Sequence, residues 1–568
     1  MDDGAGFTHL WLVLLLLAPA RCICPSKCTC RDDALAASCV GAGLEVVPIQ
    51  LNPDLEVIEL QENRIANVDY TLTFYTSLRK LDVSNNKINS LKAHNFENQG
   101  KLLTLNASFN NITTLSKDAF KGLKLLTNLD LSHNNIINVE PGSFNDTANL
   151  QTINLSYNRI TSFSDPTVFK PISSLRVLNL HNNEILDIPS VLIKNLPSPC
   201  VLETLTLGNN LIEVIEEKSF LAPCSHSIKT LTLGSNVIKD IEKAAFNALF
   251  NLEIVDLSFN NLTYIPTMQL SKLSKLRELD LSGNRFTEVR PVAFQSLFQL
   301  RVLRLNRLWH LTKIDSRAFV DNIRLETLYV EENELLTRIP PRIFHGNPQL
   351  MHVSLKGNSL TTADVSHFPL DRLRSLDLSG NPLHCNCSLH WLWTLVQMEI
   401  KLIEPTSPPP NDTLETSDVQ LRVVSRNLKC ESPESLHGQL ISDIPESTVS
   451  CETTWMTVAI ITALVLALSG GTCVFLLLFG TERRLCGCRR SGKQENDPVA
   501  GDTRRLAPGL HGPSGPILML MPDKHYRDAI MSGYMKASED TKVVEPWMDQ
   551  PGSEFDSTQA KKPHIVYV

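Results

Sequence analysis

Catalytic signatures are missing from this sequence. It has no G-x-S-x-G nucleophile turn, no glycine-rich phosphate loop and no kinase-type catalytic loop, and its 15 histidines show no metal-ligand spacing. The chain is therefore not read as an enzyme, and no cofactor or metal is expected. A strongly basic stretch is also missing, and a formal charge of −8 is mild for 568 residues, which argues against nucleic acid as a partner. Two further absences are local. No Lys or Arg precedes the apolar run Leu10 to Ala18, where Asp2 and Asp3 stand instead. No charge at all occurs from Trp455 to Gly480.

Those two uncharged runs differ in length, and length decides their reading. Leu10 to Ala18 is too short to cross a hydrocarbon core roughly 30 Å thick, and small residues follow it. It predicts a secretory signal over residues 1–22. Residues 455–480 are long enough for a transmembrane helix. Arg483, Arg484, Arg489 and Arg490 follow directly, and positive charge marks the cytosolic flank. The expected layout is a single-pass type I plasma-membrane protein with its N-terminus outside. Seven glycosylation sequons, at Asn106, Asn111, Asn145, Asn154, Asn261, Asn386 and Asn411, all precede the helix.

The stretch between is periodic. Leu55, Ile58, Leu60, Asn63 and Ile65 fit L-x-x-L-x-L-x-x-N-x-L. The frame returns thirteen more times, from Leu78 to Leu373, giving fourteen copies with a period of about 25 residues. Thirteen copies carry Asn at the ninth place; the eleventh, from Leu300, has Leu308 there. The pattern is that of leucine-rich repeats, here spanning residues 55–383. The expected fold is an α/β-type solenoid, curved, with a parallel sheet on its concave face. Each L-x-L core is a strand with leucines inward, and the Asn amides form a ladder where the chain leaves the strand. One repeat cannot bury its own apolar face, so neighbours must stack. Phe96, Phe120, Phe144, Phe220, Phe246, Phe294, Phe319 and Phe344 should add a second buried spine.

A solenoid needs closed ends. Cys24, Cys28, Cys30 and Cys39 precede the repeats, within a cap assigned to residues 23–54. Cys385, Cys387, Cys430 and Cys451 follow, within residues 384–451. Sequence alone allows three pairings for each set of four, and a zinc site is the less favoured alternative outside the cell. Both blocks resemble the capping modules of extracellular leucine-rich repeat proteins. That resemblance implies Cys24–Cys30 and Cys28–Cys39, then Cys385–Cys430 and Cys387–Cys451. Cys200 and Cys224 stand one repeat length apart in the two longest intervals, which predicts a disulfide between adjacent turns. Cys22 is then left over. Cleavage after Ala20 would keep it; cleavage after Cys22, the expected site, leaves an even count.

The binding surface is read from the residues between the inward leucines, which stacking aligns in columns. Arg301, Arg304 and Arg307 on one strand, with Tyr329 on the next, interrupt a largely acidic and amide column. Arg and Tyr are favoured interface anchors, so these four are the expected partner-binding residues, against a solvated basic spot. Glycans at Asn106 and Asn154 would cover the same face earlier in the array.

Residues 481–568 carry 13 Lys or Arg and 12 Asp or Glu, without sustained periodicity, and read as a disordered cytosolic tail. Cys486 and Cys488 suit palmitoylation, or remain thiols. Val566 and Val568 fit a PDZ-domain ligand. Fourteen repeats, two caps, one helix and a non-enzymatic tail resemble the Capricious and Tartan layout. That implies a cell-surface recognition or adhesion molecule in cell affinity or neuronal and tissue patterning, with a protein partner and homophilic binding left open. The alternatives are a receptor or co-receptor for a secreted or microbial ligand, and an auxiliary subunit of another membrane protein.

Overall fold

The computed structural model describes residues 24–220, 223–403, 422–423, 427–450 and 462–465. A hairpin opens the array: Thr29–Arg31 pairs antiparallel with Ala36–Ser38. Every later strand of that sheet is parallel to its neighbour, from Val57–Glu59 through Ser375–Asp377 to Arg422–Val423, in a sheet of seventeen strands. The register is one repeat per step. Ile58 faces Leu81, and Glu59 faces Asp82. Alternation explains the burial: in the repeat strands from Val57–Glu59 to Ser375–Asp377 the middle residue is inside, and its two neighbours are partly or fully exposed.

The ninth-place asparagines hold successive turns together. Asn134 Nδ2 donates to Ala107 O at 3.0 Å and Leu131 O at 3.1 Å, while its Oδ1 accepts from Ile112 N at 3.0 Å. One buried amide thus satisfies backbone groups of two repeats. The arrangement recurs from Asn63 to Asn381. At Leu308 the side chain is fully buried hydrocarbon with no amide to donate.

Phenylalanines stack behind the leucines. Phe120 and Phe144 have centroids 5.3 Å apart, and Phe294 and Phe319 5.8 Å. Phe169 and Phe368 extend the spine beyond the eight expected members. Amides thread it as well: Asn347 Nδ2 donates to Phe319 O at 2.9 Å. The α side of the expected α/β alternation is thin. The segments returning to the next strand are mostly turns, with short α-helices only at Ser190–Lys194 and Thr267–Leu270 among the described repeats and 3-10 turns at Thr71–Phe74, Cys224–His226 and Val365–His367. The physical reason is length: a repeat of about 25 residues leaves too few, after strand and turn, for a helix of several turns.

The ends are closed covalently. Cys24 joins Cys30 and Cys28 joins Cys39. Cys385 joins Cys430, and Cys387 is disulfide-bonded, its expected partner Cys451 lying outside the described residues. Cys200 joins Cys224 across two adjacent repeats. The helix His390–Ile403 lids the last repeat, with Trp391 Nε1 donating to Ala363 O at 3.0 Å. Among the described residues no helix is long and apolar enough to cross a membrane. Of residues 455–480 only 462–465 are described, and they are helical. The signal segment, Asn411, Cys486, Cys488, Val566 and Val568 also lie outside the described residues.

Candidate partner-binding surface

The eleventh repeat places its three arginines differently from the expectation of one strand. The strand is Val302–Arg304, so Arg301 precedes it and Arg307 follows it. The three fall in three separate columns, ahead of the strand, on it and in the turn after it, and each meets a carboxylate. Arg301 Nη1 donates to Glu326 Oε1 at 2.8 Å, and Arg307 Nε to Glu332 Oε2 at 2.7 Å. Arg304 Nη1 lies 3.6 Å from Glu278 Oε2. The basic spot is therefore largely neutralised by neighbouring repeats.

Arg301 is one rung of an ion-pair ladder along the edge ahead of the strands. Glu56–Arg79, Arg176–Glu203–Lys229 and Glu253–Arg277 occupy the same place in other repeats. That repetition makes the Arg301–Glu326 pair a regular feature of the array. Arg304 differs. Its guanidinium sits 5.6 Å from the centroid of the Tyr329 ring, its cross-strand neighbour. Stacking holds both groups in place while leaving them partly open to solvent.

On the other side of Arg304 lies Asp280, its neighbour in register. Burial pushes the Asp280 carboxyl up from its ordinary value; bonds from Ser282 pull the other way, and the adjacent Asp256 adds to the rise. Further along, two successive repeats have glycine just past the strand, at 208 and 234. A Cβ on Gly208 would come within 2.9 Å of His181 Nδ1, and one on Gly234 within 2.7 Å of Asp256 Oδ2. His181 and Asp256 thus lean over a glycine floor from opposite sides. Burial holds the His181 imidazole below its usual value, and Asp256 opposes that shift.

The amide column of the earlier repeats is internally bonded. Asn106 Nδ2 donates to Asp82 Oδ2 at 3.1 Å, and Asn154 Nδ2 to Asp130 Oδ2 at 3.2 Å. A glycosylated amide keeps one N–H, enough for that bond. Asn386 caps the short helix Cys387–Leu389 by accepting from Ser388 N at 2.9 Å, and Asn145 is exposed on a return turn.

The sequence reading missed a column of rings. The residue before each ladder asparagine sits in left-handed backbone, from Glu62 and Asn85 to Arg307 and Glu332, with glycine at 283, 357 and 380. In repeats three to five it is Phe109, His133 and Tyr157, with centroids 4.0 Å and 4.1 Å apart. Phe109 is 53% exposed and Tyr157 42%. Reading the eighth place down the array, as the fifth was read, would have found it.

Five stretches match the family model described as leucine rich repeat: residues 76–136, 125–185, 226–286, 274–335 and 323–383. This chain carries leucine-rich repeats. Human podocan-like protein 1 is 28% identical over 409 residues, 67% of this chain and 77% of that protein. Human oligodendrocyte-myelin glycoprotein is 35% identical over 108 residues, 19% of this chain; the chain spans only 24% of that relative's length. The solved Toll–Spatzle complex of Drosophila is similar in fold, with a TM-score of 0.51 at 22% identity, covering 70% of this chain and 58% of that one.

Proposed function

We propose that this leucine-rich repeat protein is a cell-surface recognition or adhesion molecule that binds a protein partner across the sheet face of repeats ten to thirteen. The observation that carries the reading is the Arg304–Tyr329 stack, a preorganised guanidinium and ring flanked by Asp280 and Glu278. Such a patch suits a partner with mixed charge and an apolar anchor better than a plainly acidic one. Export through residues 1–22, a membrane helix over 455–480 and a cytosolic tail over 481–568 complete the reading. In the tail, Cys486 and Cys488 are proposed palmitoylation sites, and Val566 with Val568 a PDZ ligand. The Capricious and Tartan-like role in cell affinity belongs to the same proposal.

The test is a screen of the soluble ectodomain, residues 23–451, against secreted and cell-surface proteins, paired with aggregation of cells expressing the full chain. Aggregation supports adhesion. Capture of a secreted factor without aggregation favours a receptor instead. Arg304→Ala and Tyr329→Ala should each weaken binding about tenfold with unchanged surface expression; unaltered binding in both would overturn the assignment of the face.

A further inference from the structure

Phe109 and Phe259 occupy the same place in repeats three and nine, and each begins the same five-residue pattern, Phe-Asn-Asn-(Ile/Leu)-Thr, at 109–113 and 259–263. Both adopt left-handed backbone, φ 53° and 50°, in a column that otherwise takes glycine at three places and mostly polar residues at the rest. A phenyl group there is strained, and burial does not offset it, since the rings are 53% and 40% exposed. One side of each ring rests on the next repeat: Phe109 stacks on His133, and Phe259 lies against Gly283. The first asparagine of each pattern is pinned inward. Asn110 Nδ2 donates to Val83 O and Ala107 O, and Asn260 Nδ2 to Leu233 O and Leu257 O. The residues on either side, Phe109 with Asn111 and Phe259 with Asn261, therefore turn outward together. Asn111 and Asn261 are sequon asparagines, and Thr113 and Thr263 are exposed.

We propose that Phe109 and Phe259 are platforms for the chain's own N-linked sugars, each ring packing against the first N-acetylglucosamine on Asn111 and Asn261. The C–H face of that sugar is apolar, and an exposed ring two residues away is the surface it can cover. Attachment replaces one amide N–H of the asparagine by a bond to C1 of the sugar. The donor is a lipid-pyrophosphate oligosaccharide: its pyrophosphate leaves with the electron pair of the broken C1–O bond, and the amide proton goes to base. Tyr157-Asn158-Arg159 repeats the outward geometry without a sequon and serves as an internal comparison. The inference rests on the exported ectodomain proposed above. It makes the turn edge of repeats three and nine sugar-covered, which leaves the sheet face of repeats ten to thirteen as the open protein-binding area.

The test uses the full chain from animal cells, with glycans trimmed to one N-acetylglucosamine and sites mapped by glycopeptide mass spectrometry. The glycan should slow amide exchange across 109–113 by roughly threefold to tenfold relative to Asn111→Gln. It should do nothing in Phe109→Asn, which carries the residue found in this column at 85, 182 and 209 and so should fold. Phe259→Asn with Asn261→Gln gives the second, independent cycle. Equal slowing with and without the ring overturns the proposal, as do bare Asn111 and Asn261 in a chain glycosylated at Asn145. A chain carrying no N-glycan at all overturns both this inference and the export reading.

Discussion

Arg307 and Glu332 occupy the same turn of consecutive repeats, both in left-handed backbone at φ 53° and 54°, and Arg307 Nε donates to Glu332 Oε2 at 2.7 Å. The carboxylate raises the guanidinium pKa, chiefly through that hydrogen bond, yet the group is charged at any ordinary pH. The pair is exposed, so water and salt screen it. Arg307→Gly should therefore leave the calorimetric unfolding temperature unchanged or slightly raised, because glycine is native to this column at 283, 357 and 380. A clear fall would show that the pair holds the two repeats together.

The Cys200–Cys224 bond closes a loop of one repeat. Cross-linking so short a loop contributes roughly 3 kcal/mol, mainly by restricting the unfolded chain. Replacing Cys200 by Ser and the fully buried Cys224 by Ala should destabilise the array by about that amount. The loss should concentrate in repeats six to eight, since each repeat contacts only its neighbours. Amide exchange resolves this; uniform weakening along the whole array would argue against a local staple.

How far these features could be read in advance depends on what each residue repeats. Leucine and asparagine places recur once in each repeat, from Leu55 and Asn63 to Leu373 and Asn381, so the parallel register and the amide ladder were legible. Cross-repeat chemistry was not. Glu203 stands a full repeat from Arg176 on one side and from Lys229 on the other, and nothing local links them until the turns stack. For the same reason the Arg301–Glu326 pair could not be read in advance, since its partners stand a full repeat apart. The ring column was missed because its place in the consensus is unconstrained by burial, so no periodicity marks it. Gly208 and Gly234 gave no sign that His181 and Asp256 would lean across them.

Tyr75 predicts an alkaline limit. Its ring is fully buried and its hydroxyl donates to Pro48 O, tying the first repeat to the N-terminal cap. Burial pushes the phenol up to about 12 from an ordinary 10. The folded protein holds this proton more tightly than the unfolded chain. The associated stability is fully present below pH 10 and is lost as pH rises toward 12. Wild-type stability should fall across that window by about 2–3 kcal/mol more than Tyr75→Phe, which has no phenol to ionise. Parallel curves for the two proteins in alkaline denaturation would contradict this.

The amide ladder supplies the sharpest contrast. Asn134 is buried, and its side chain bonds Ala107 O, Leu131 O and Ile112 N. Asn134→Leu removes these bonds, and a longer one to Ser132 O, and fills the turn with hydrocarbon. Leaving buried backbone groups unpaired costs about 1–3 kcal/mol each, though never additively, so a loss of about 2–4 kcal/mol is expected. The eleventh repeat already lives without that amide. Its neighbours compensate in part: Leu308 N donates to Asn333 Oδ1 at 2.7 Å, and Asn306 Oδ1 accepts from Glu331 N at 2.8 Å. Leu308→Ala should therefore cost what a buried leucine costs, about 2–5 kcal/mol from cavity and transfer alone. Leu308→Asn should recover part of that loss by restoring donors to the turn. Chemical denaturation of the three variants ranks them. If Leu308→Asn proves no better than Leu308→Ala, the turn at repeat eleven has repacked around hydrocarbon and no longer has a place for the ladder.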